Sequence, residues 1–94
     1  MITEIATITV AAGSEEAFEV AMRNGGIAHL QACPGVGAVR FGRGVEDPSK
    51  FAFVVEWESL EAHGAVRDLE SFRAFRAAMG TMTVGGAMEH FTLS

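Results

Sequence analysis

The two main residues of this chain that could carry out chemistry lie in one stretch, Phe51 to His63. The stretch contains the only tryptophan, Trp57, and His63 follows it by six residues. Histidine exchanges protons near neutral pH because its unperturbed pKa is about 6.5. In an apolar pocket, His63 could take a proton from a bound molecule, and Trp57 could stack on a flat aromatic ring. The structural alternative is a half-exposed histidine on a surface helix and a tryptophan buried in the core.

Two arginines could stabilise the anion that such a deprotonation leaves behind. Arg76 lies in a predicted helix, and Arg40 shares its strand parity with Val36 and Ala38, so both could reach a common pocket. A guanidinium placed beside an enolate or phenolate oxygen lowers the energy of that charge. The alternative is that both arginines form ordinary surface ion pairs. Phe53 and Phe75 are the predicted walls of the pocket.

The remaining residues that could be nucleophiles or metal ligands are isolated in the sequence. Cys33 has no neighbouring histidine that would activate it as a nucleophile. His29 and His90 lack a partner at the spacing of metal ligands, so we predict no metal site. His63 therefore remains the principal candidate for acid–base chemistry.

Hydrophobic periodicity predicts the elements that position these side chains. Residues that alternate between apolar and polar indicate strands, and apolar residues spaced three and four apart indicate helices. The predicted order is strand, helix, strand, strand, helix, strand, which is the ferredoxin-like split βαβ pattern of an α+β fold. We predict strands at Ile2–Val10, Val36–Phe41, Phe51–Glu58 and Ala87–Leu93, a loop over Gly80–Gly86, and helices after Ser14, after Ser59 and over Leu69–Met79.

Two features of this pattern leave alternatives open. Gly25 and Gly26 fall inside the first helical region, where two glycines cost about 2 kcal/mol relative to alanine. They either break the helix or leave room for a ligand beneath it. Trp57 belongs to the bulky row that should face the helices, and Glu56 belongs to the opposite row. That opposite face is too apolar to be left to water, which predicts a homodimer formed sheet against sheet.

Length and charge restrict the classes of function. With 94 residues, the chain is expected to be one domain over 1–94. A net charge of −5 and scattered basic residues argue against a nucleic-acid partner and against a polybasic membrane anchor. The absence of a signal-like N-terminus and of paired cysteines suggests a cytoplasmic protein without membrane attachment.

The motifs and their order resemble the antibiotic biosynthesis monooxygenase family, whose members are dimeric α+β barrels. The most specific segment is Glu56-Trp57-Glu58-Ser59, followed by Glu61-Ala62 and then by Phe72 and Phe75 three residues apart. The resemblance implies a four-stranded antiparallel sheet with helices on one face and a homodimer. It also implies a pocket between the helices and the sheet. Members include oxygenases that use neither metal nor flavin, quinol monooxygenases and haem-degrading enzymes.

Several positions depart from the patterns of active family members. Cofactor-independent oxygenases of the family can carry an asparagine where this chain has Phe53, and a tyrosine where it has His63. The haem-degrading members use a histidine where this chain has Arg76, so a bound haem would lack its axial ligand. We expect no cofactor. We therefore expect a cofactor-independent, monooxygenase-like protein that acts on a small aromatic or quinol-type molecule. The alternative is a non-catalytic small-molecule-binding or structural dimer of the same fold.

Overall fold

The computed structural model describes all 94 residues, which form four strands and four helices. No helix is long and apolar enough to cross a membrane. The elements are β1 (Ile2–Val10), α1 (Glu15–Ala21), α2 (Ile27–Gln31), β2 (Val36–Arg43), β3 (Lys50–Trp57), α3 (Leu60–Ala65), α4 (Glu70–Met79) and β4 (Thr83–Phe91). A short π-helical segment, Met22–Gly26, joins α1 to α2.

The four strands form one antiparallel sheet in the order β2-β3-β1-β4, with the helices on one face. This arrangement confirms the predicted ferredoxin-like α+β fold. The central strand β1 pairs with both β3 and β4, so Ala6 lies opposite Phe53 on one side and Met88 on the other. Side chains at these paired positions share the face that the helices cover.

Alternation along β3 builds the core, as predicted. Phe51, Phe53, Val55 and Trp57 are each at most 2 % exposed, whereas the residues that alternate with them are only partly buried. The helical layer contributes Phe18 and Met22, which are completely buried, and the Phe18 ring lies 4.9 Å from that of Phe51. Burying a side chain of this size stabilises the fold by about 1.5–3 kcal/mol.

The two consecutive glycines break the first helical region, which decides between the two readings of that segment. Asn24 (φ −94°, ψ 34°) and Gly25 (φ 136°, ψ −31°) leave the helical conformation. The positive φ of Gly25 strongly disfavours any residue with a Cβ. Gly26 is buried, and a Cβ there would lie 2.7 Å from the Met22 side chain. Neither glycine lines the cavity described below.

An irregularity in β2 reverses the predicted orientation of Arg40. Val36 lies opposite Trp57, but Val39 lies opposite Val55, so β2 uses one extra residue over this span. Such a bulge changes which face each later side chain occupies. Arg40 consequently lies opposite Val54 on the face away from the helices. The prediction that Arg40 reaches the pocket is wrong.

The last strand begins and ends earlier than predicted. β4 starts at Thr83, so the segment predicted as the end of a loop is in fact strand, and it finishes at Phe91. Gly86 pairs with Ile8, and a Cβ at Gly86 would approach the Thr7 carbonyl oxygen to 3.0 Å. Glycine therefore lets the edge strand lie close to β1, where composition alone indicates a loop.

Candidate functional site

A cavity of about 490 Å³ lies between the sheet and α4. Ten of its fifteen lining residues are hydrophobic, so it suits a mainly apolar molecule. Phe53 and Phe75 both line it, and their rings meet edge to face at 5.5 Å. Its polar groups are Glu4, His63, Arg67 and Arg76.

His63 is held inside the fold by a cap and a stacking contact. The hydroxyl of Ser59 accepts a hydrogen bond from the Ala62 amide at 3.1 Å, which fixes the start of α3. The imidazole of His63 lies parallel to the indole of Trp57, with ring centres 4.4 Å apart. His63 is only 8 % exposed, so it is not a half-exposed residue of a surface helix.

A buried carboxylate joins the tryptophan to the histidine. Trp57 donates its indole N–H to Glu4 Oε1 at 2.8 Å, and Glu4 is 7 % exposed. The same oxygen lies 3.6 Å from His63 Nε2, which is an electrostatic contact and too long for a hydrogen bond. A buried carboxylate requires such partners because its desolvation is otherwise costly.

The second histidine of the site comes from β4. His63 Nδ1 and His90 Nε2 are 2.7 Å apart, a hydrogen bond in which one ring donates and the other accepts. A smaller cavity of about 220 Å³ adjoins this pair and is lined by both histidines and Arg67. The two imidazoles therefore connect the wall of the large cavity to the smaller cavity.

The surroundings of His63 favour its neutral form. Burial is the largest influence and lowers the pKa of His63 below its ordinary value of 6.5. The carboxylate of Glu4 opposes this change, while His90 and Arg67 act in the same direction as burial. Neutral imidazole, the form that can accept a proton, is therefore favoured at neutral pH.

Glu4, His63 and His90 are also residue types that bind metal ions, with ligand atoms all within 4.8 Å of one another. Two nitrogens that share one tetrahedral zinc ion at about 2.0–2.1 Å stand roughly 3.3 Å apart. The 2.7 Å separation of the two imidazole nitrogens is that of a direct hydrogen bond. The arrangement thus fits a hydrogen-bonded pair of histidines beside a carboxylate better than a metal centre.

The structure brings some of the predicted residues together and separates others. His63, Phe53, Phe75 and Arg76 line the large cavity. Trp57 does not line it, because its ring is completely buried beneath His63. Arg40 lies on the other face of the sheet, as described above.

Sequence reasoning missed three residues of the site, namely Glu4, Arg67 and His90. Glu4 is a charged residue within the row of β1 that faces the helices. This charge at a buried position is the sequence feature that could have identified Glu4 as a site residue. His90 pairs with Glu4 across β1 and β4, a contact between positions 86 residues apart in the chain. Sequence spacing cannot reveal such a pair.

Together, the split βαβ fold and the cavity between the sheet and α4 define a ferredoxin-like α+β domain with a mainly apolar cavity. The family profile of the antibiotic biosynthesis monooxygenases matches residues 1–78. The chain belongs to this family.

Several solved structures share this fold. A protein from Bordetella bronchiseptica, assigned to the antibiotic biosynthesis monooxygenases, is 26 % identical, with a TM-score of 0.89 over 99 % of this chain and 96 % of its own. One from Nitrosomonas europaea with the same assignment is 16 % identical, with a TM-score of 0.78 over 98 % and 97 %. A mutant of SnoaB, a cofactor-independent oxygenase from Streptomyces nogalater, is 17 % identical, with a TM-score of 0.77 over 98 % and 91 %. No curated protein matches this chain significantly.

Proposed function

We propose that this protein is a cofactor-independent monooxygenase that oxidises a small, flat aromatic or quinol-type molecule inside the large cavity. One observation carries the proposal: Glu4 and His63, two buried groups able to exchange protons, lie side by side in the wall of a mainly apolar cavity. Membership of the monooxygenase family and the likeness to a cofactor-independent oxygenase agree with it.

The reaction begins with removal of a proton from the bound substrate by the Glu4–His63 pair. The resulting carbanion is electron-rich and reacts with dioxygen. For a ring CH₂ flanked by aromatic groups, the substrate itself supplies the four electrons that reduce O₂. One oxygen atom enters the substrate as a carbonyl and the other leaves as water, so the balance requires no external reductant.

Other lining residues have supporting roles in this proposal. Phe53 and Phe75 form the apolar walls against which the ring packs. Arg76 stabilises the oxyanion that deprotonation produces, and Arg67 adds a second positive charge to the same cavity. Trp57 keeps Glu4 and His63 in position from behind, a role that replaces its predicted stacking on the substrate.

We further propose that the protein acts as a homodimer joined through the outer faces of its sheets. Ile5 and Phe91 lie on the face away from the helices and are 38 % and 39 % exposed. Val54 lies beside them on the same face. An apolar sheet face of this kind is stable in water when a second copy covers it. Analytical ultracentrifugation tests this, with a species of twice the 10.0 kDa chain mass as the expected result.

A non-catalytic role in binding small molecules is the alternative, and one observation favours it. Phe53 occupies the strand position where active relatives can have asparagine, and the chain has no tyrosine. Phe53 is only 2 % exposed, and its ring forms part of the cavity wall and offers no hydrogen-bonding group. A protein of this kind would hold an aromatic molecule without changing it.

Incubation with anthrones, naphthols and quinols under ¹⁸O₂ separates the two functions. The proposed reaction incorporates one ¹⁸O atom into the product, and it stops when oxygen is removed. Recovery of every bound compound unchanged after incubation in air contradicts the proposal and supports the binding role.

A further inference from the structure

Three ionisable side chains from three different elements form a continuous line through the wall of the large cavity. Glu4 of β1 lines that cavity, His63 of α3 follows at 3.6 Å, and His90 of β4 follows at 2.7 Å. His90 lines only the smaller cavity, and it is more exposed than the other two. The line therefore has an inner end at Glu4 and an outer end at His90.

The charge of Glu4 determines which ring nitrogens of His63 and His90 carry protons. When Glu4 is charged, an N–H on His63 Nε2 faces the negative oxygen favourably, whereas a lone pair at that position faces it unfavourably. With its proton on Nε2, neutral His63 has a lone pair on Nδ1, which must then accept from His90 Nε2–H. The lone pair of His90 is consequently on Nδ1.

We propose that Glu4, His63 and His90 form a proton relay that exchanges one proton between the large cavity and solvent in the smaller cavity. This inference deepens the proposed function, since it makes Glu4 the group that exchanges protons with the substrate. His63 is the middle of the relay, and His90 is its solvent end.

The transfer of one proton inward is balanced at every step. A solvent proton binds His90 Nδ1, and the proton on His90 Nε2 moves to His63 Nδ1. The proton on His63 Nε2 then moves to the Glu4 carboxylate. Each ring gains one N–H bond and loses one, so both end neutral with the proton on the opposite nitrogen.

The hydrogen bond between the two histidines is present in both states of the relay, with its direction reversed. After the transfer, neutral Glu4 donates to the Nε2 lone pair of His63, and His63 Nδ1–H donates to His90 Nε2. The final step requires the 3.6 Å gap between Glu4 and His63 to close to about 3 Å. Besides these three groups, Arg67 is the charged residue that faces His63, and it disfavours a net positive charge on the rings.

Imidazole ¹⁵N NMR tests the relay without any substrate. In a His29→Gln background only His63 and His90 give signals, because the chain has three histidines. At pH 7.5 we expect both rings to carry their proton on Nε2. If His63 carries its proton on Nδ1 in this background, in which Glu4 is unchanged, the proposal is overturned.

Glu4→Gln provides the second arm, since it removes the charge and keeps an oxygen for the indole N–H. The oxygen that accepts from Trp57 is also the atom that faces His63 Nε2, and as a neutral amide oxygen it favours the Nε2–H form less strongly than the carboxylate does. We therefore expect the Nδ1–H fraction to rise in both rings together. No rise in either ring, or a rise in His63 alone, contradicts the relay. The indole N–H resonance of Trp57 and the thermal unfolding temperature verify that the variant is folded. Failure of the proposed oxygenation with these tautomers intact counts against the proposed function alone.

Discussion

Trp57 donates its indole N–H to Glu4 Oε1 at 2.8 Å, linking the end of β3 to the neighbouring β1 within the core. The bond makes Trp57 a support of the site rather than part of the cavity wall. It also explains how a carboxylate can be buried beneath the helices, since one of its oxygens has a donor and a histidine lies beside it.

Removing this donor is expected to destabilise the protein. Trp57→Phe leaves the Glu4 oxygen without its hydrogen bond, which costs about 1–3 kcal/mol in addition to lost packing. Urea unfolding measures the change. In a Glu4→Leu background, the same Trp57→Phe change should cost less, with a coupling energy of roughly 0.5–3 kcal/mol. Strict additivity of the two substitutions would show that the bond does not contribute.

Stability is expected to rise with pH across the range in which His63 titrates. Burial lowers the pKa of His63 below 6.5 in the folded state, so the unfolded chain binds more protons between that lowered pKa and 6.5. The contribution of neutral His63 is complete above pH 6.5 and is lost as the pH falls through the folded pKa. Denaturant unfolding between pH 5 and pH 8 measures this, and His63→Gln should flatten the curve. A steeper curve in the variant contradicts the assignment.

The two glycines Gly25 and Gly64 provide a matched test of backbone conformation. Gly25 has a φ of +136°, so Gly25→Ala is expected to destabilise the protein by about 1–2 kcal/mol. Gly64 lies within α3, and a Cβ there meets nothing within 4 Å. Gly64→Ala should therefore stabilise by about 0.5–1 kcal/mol. Thermal unfolding measures both, and effects of equal sign contradict this description of the break between α1 and α2.

Arginines on opposite faces of the sheet should differ in their effect on ligand binding. The probe is anilinonaphthalene sulfonate, an aromatic anion whose fluorescence increases in apolar pockets. Arg76→Ala removes a charge from the large cavity and should weaken binding by up to about fivefold, because exposed pairs contribute at most about 1 kcal/mol. Arg40→Ala removes the same charge from the outer face and should leave the affinity unchanged. An equal loss of affinity in both variants would show that the probe does not bind in the large cavity.

Much of the fold could be predicted because each element has a clear periodic pattern. The alternation of Phe51, Phe53, Val55 and Trp57 identified the buried row of β3, and Ser59 identified the start of α3. The family resemblance, based on the segment around Trp57, is confirmed by the profile match over residues 1–78. Such patterns can be recognised from sequence because each is contained within a single strand or helix.

The errors arose where one element depends on another. The bulge between Val36 and Val39 gave no signal in the sequence, and it moved Arg40 to the outer face. Gly85 and Gly86 indicated a loop, but pairing with β1 makes them strand. Glu4 and His90 join His63 only through the sheet register, so the polar cluster required the structure.

The rate of oxygen consumption with an anthrone or quinol substrate tests the central claim most directly. His63→Gln should reduce the rate by at least about 100-fold, the usual effect of losing a residue that transfers the proton. His29→Gln, the same substitution at an exposed position of α2 away from both cavities, should retain the wild-type rate. Oxygen uptake that is equal in the wild type and in His63→Gln would contradict the account.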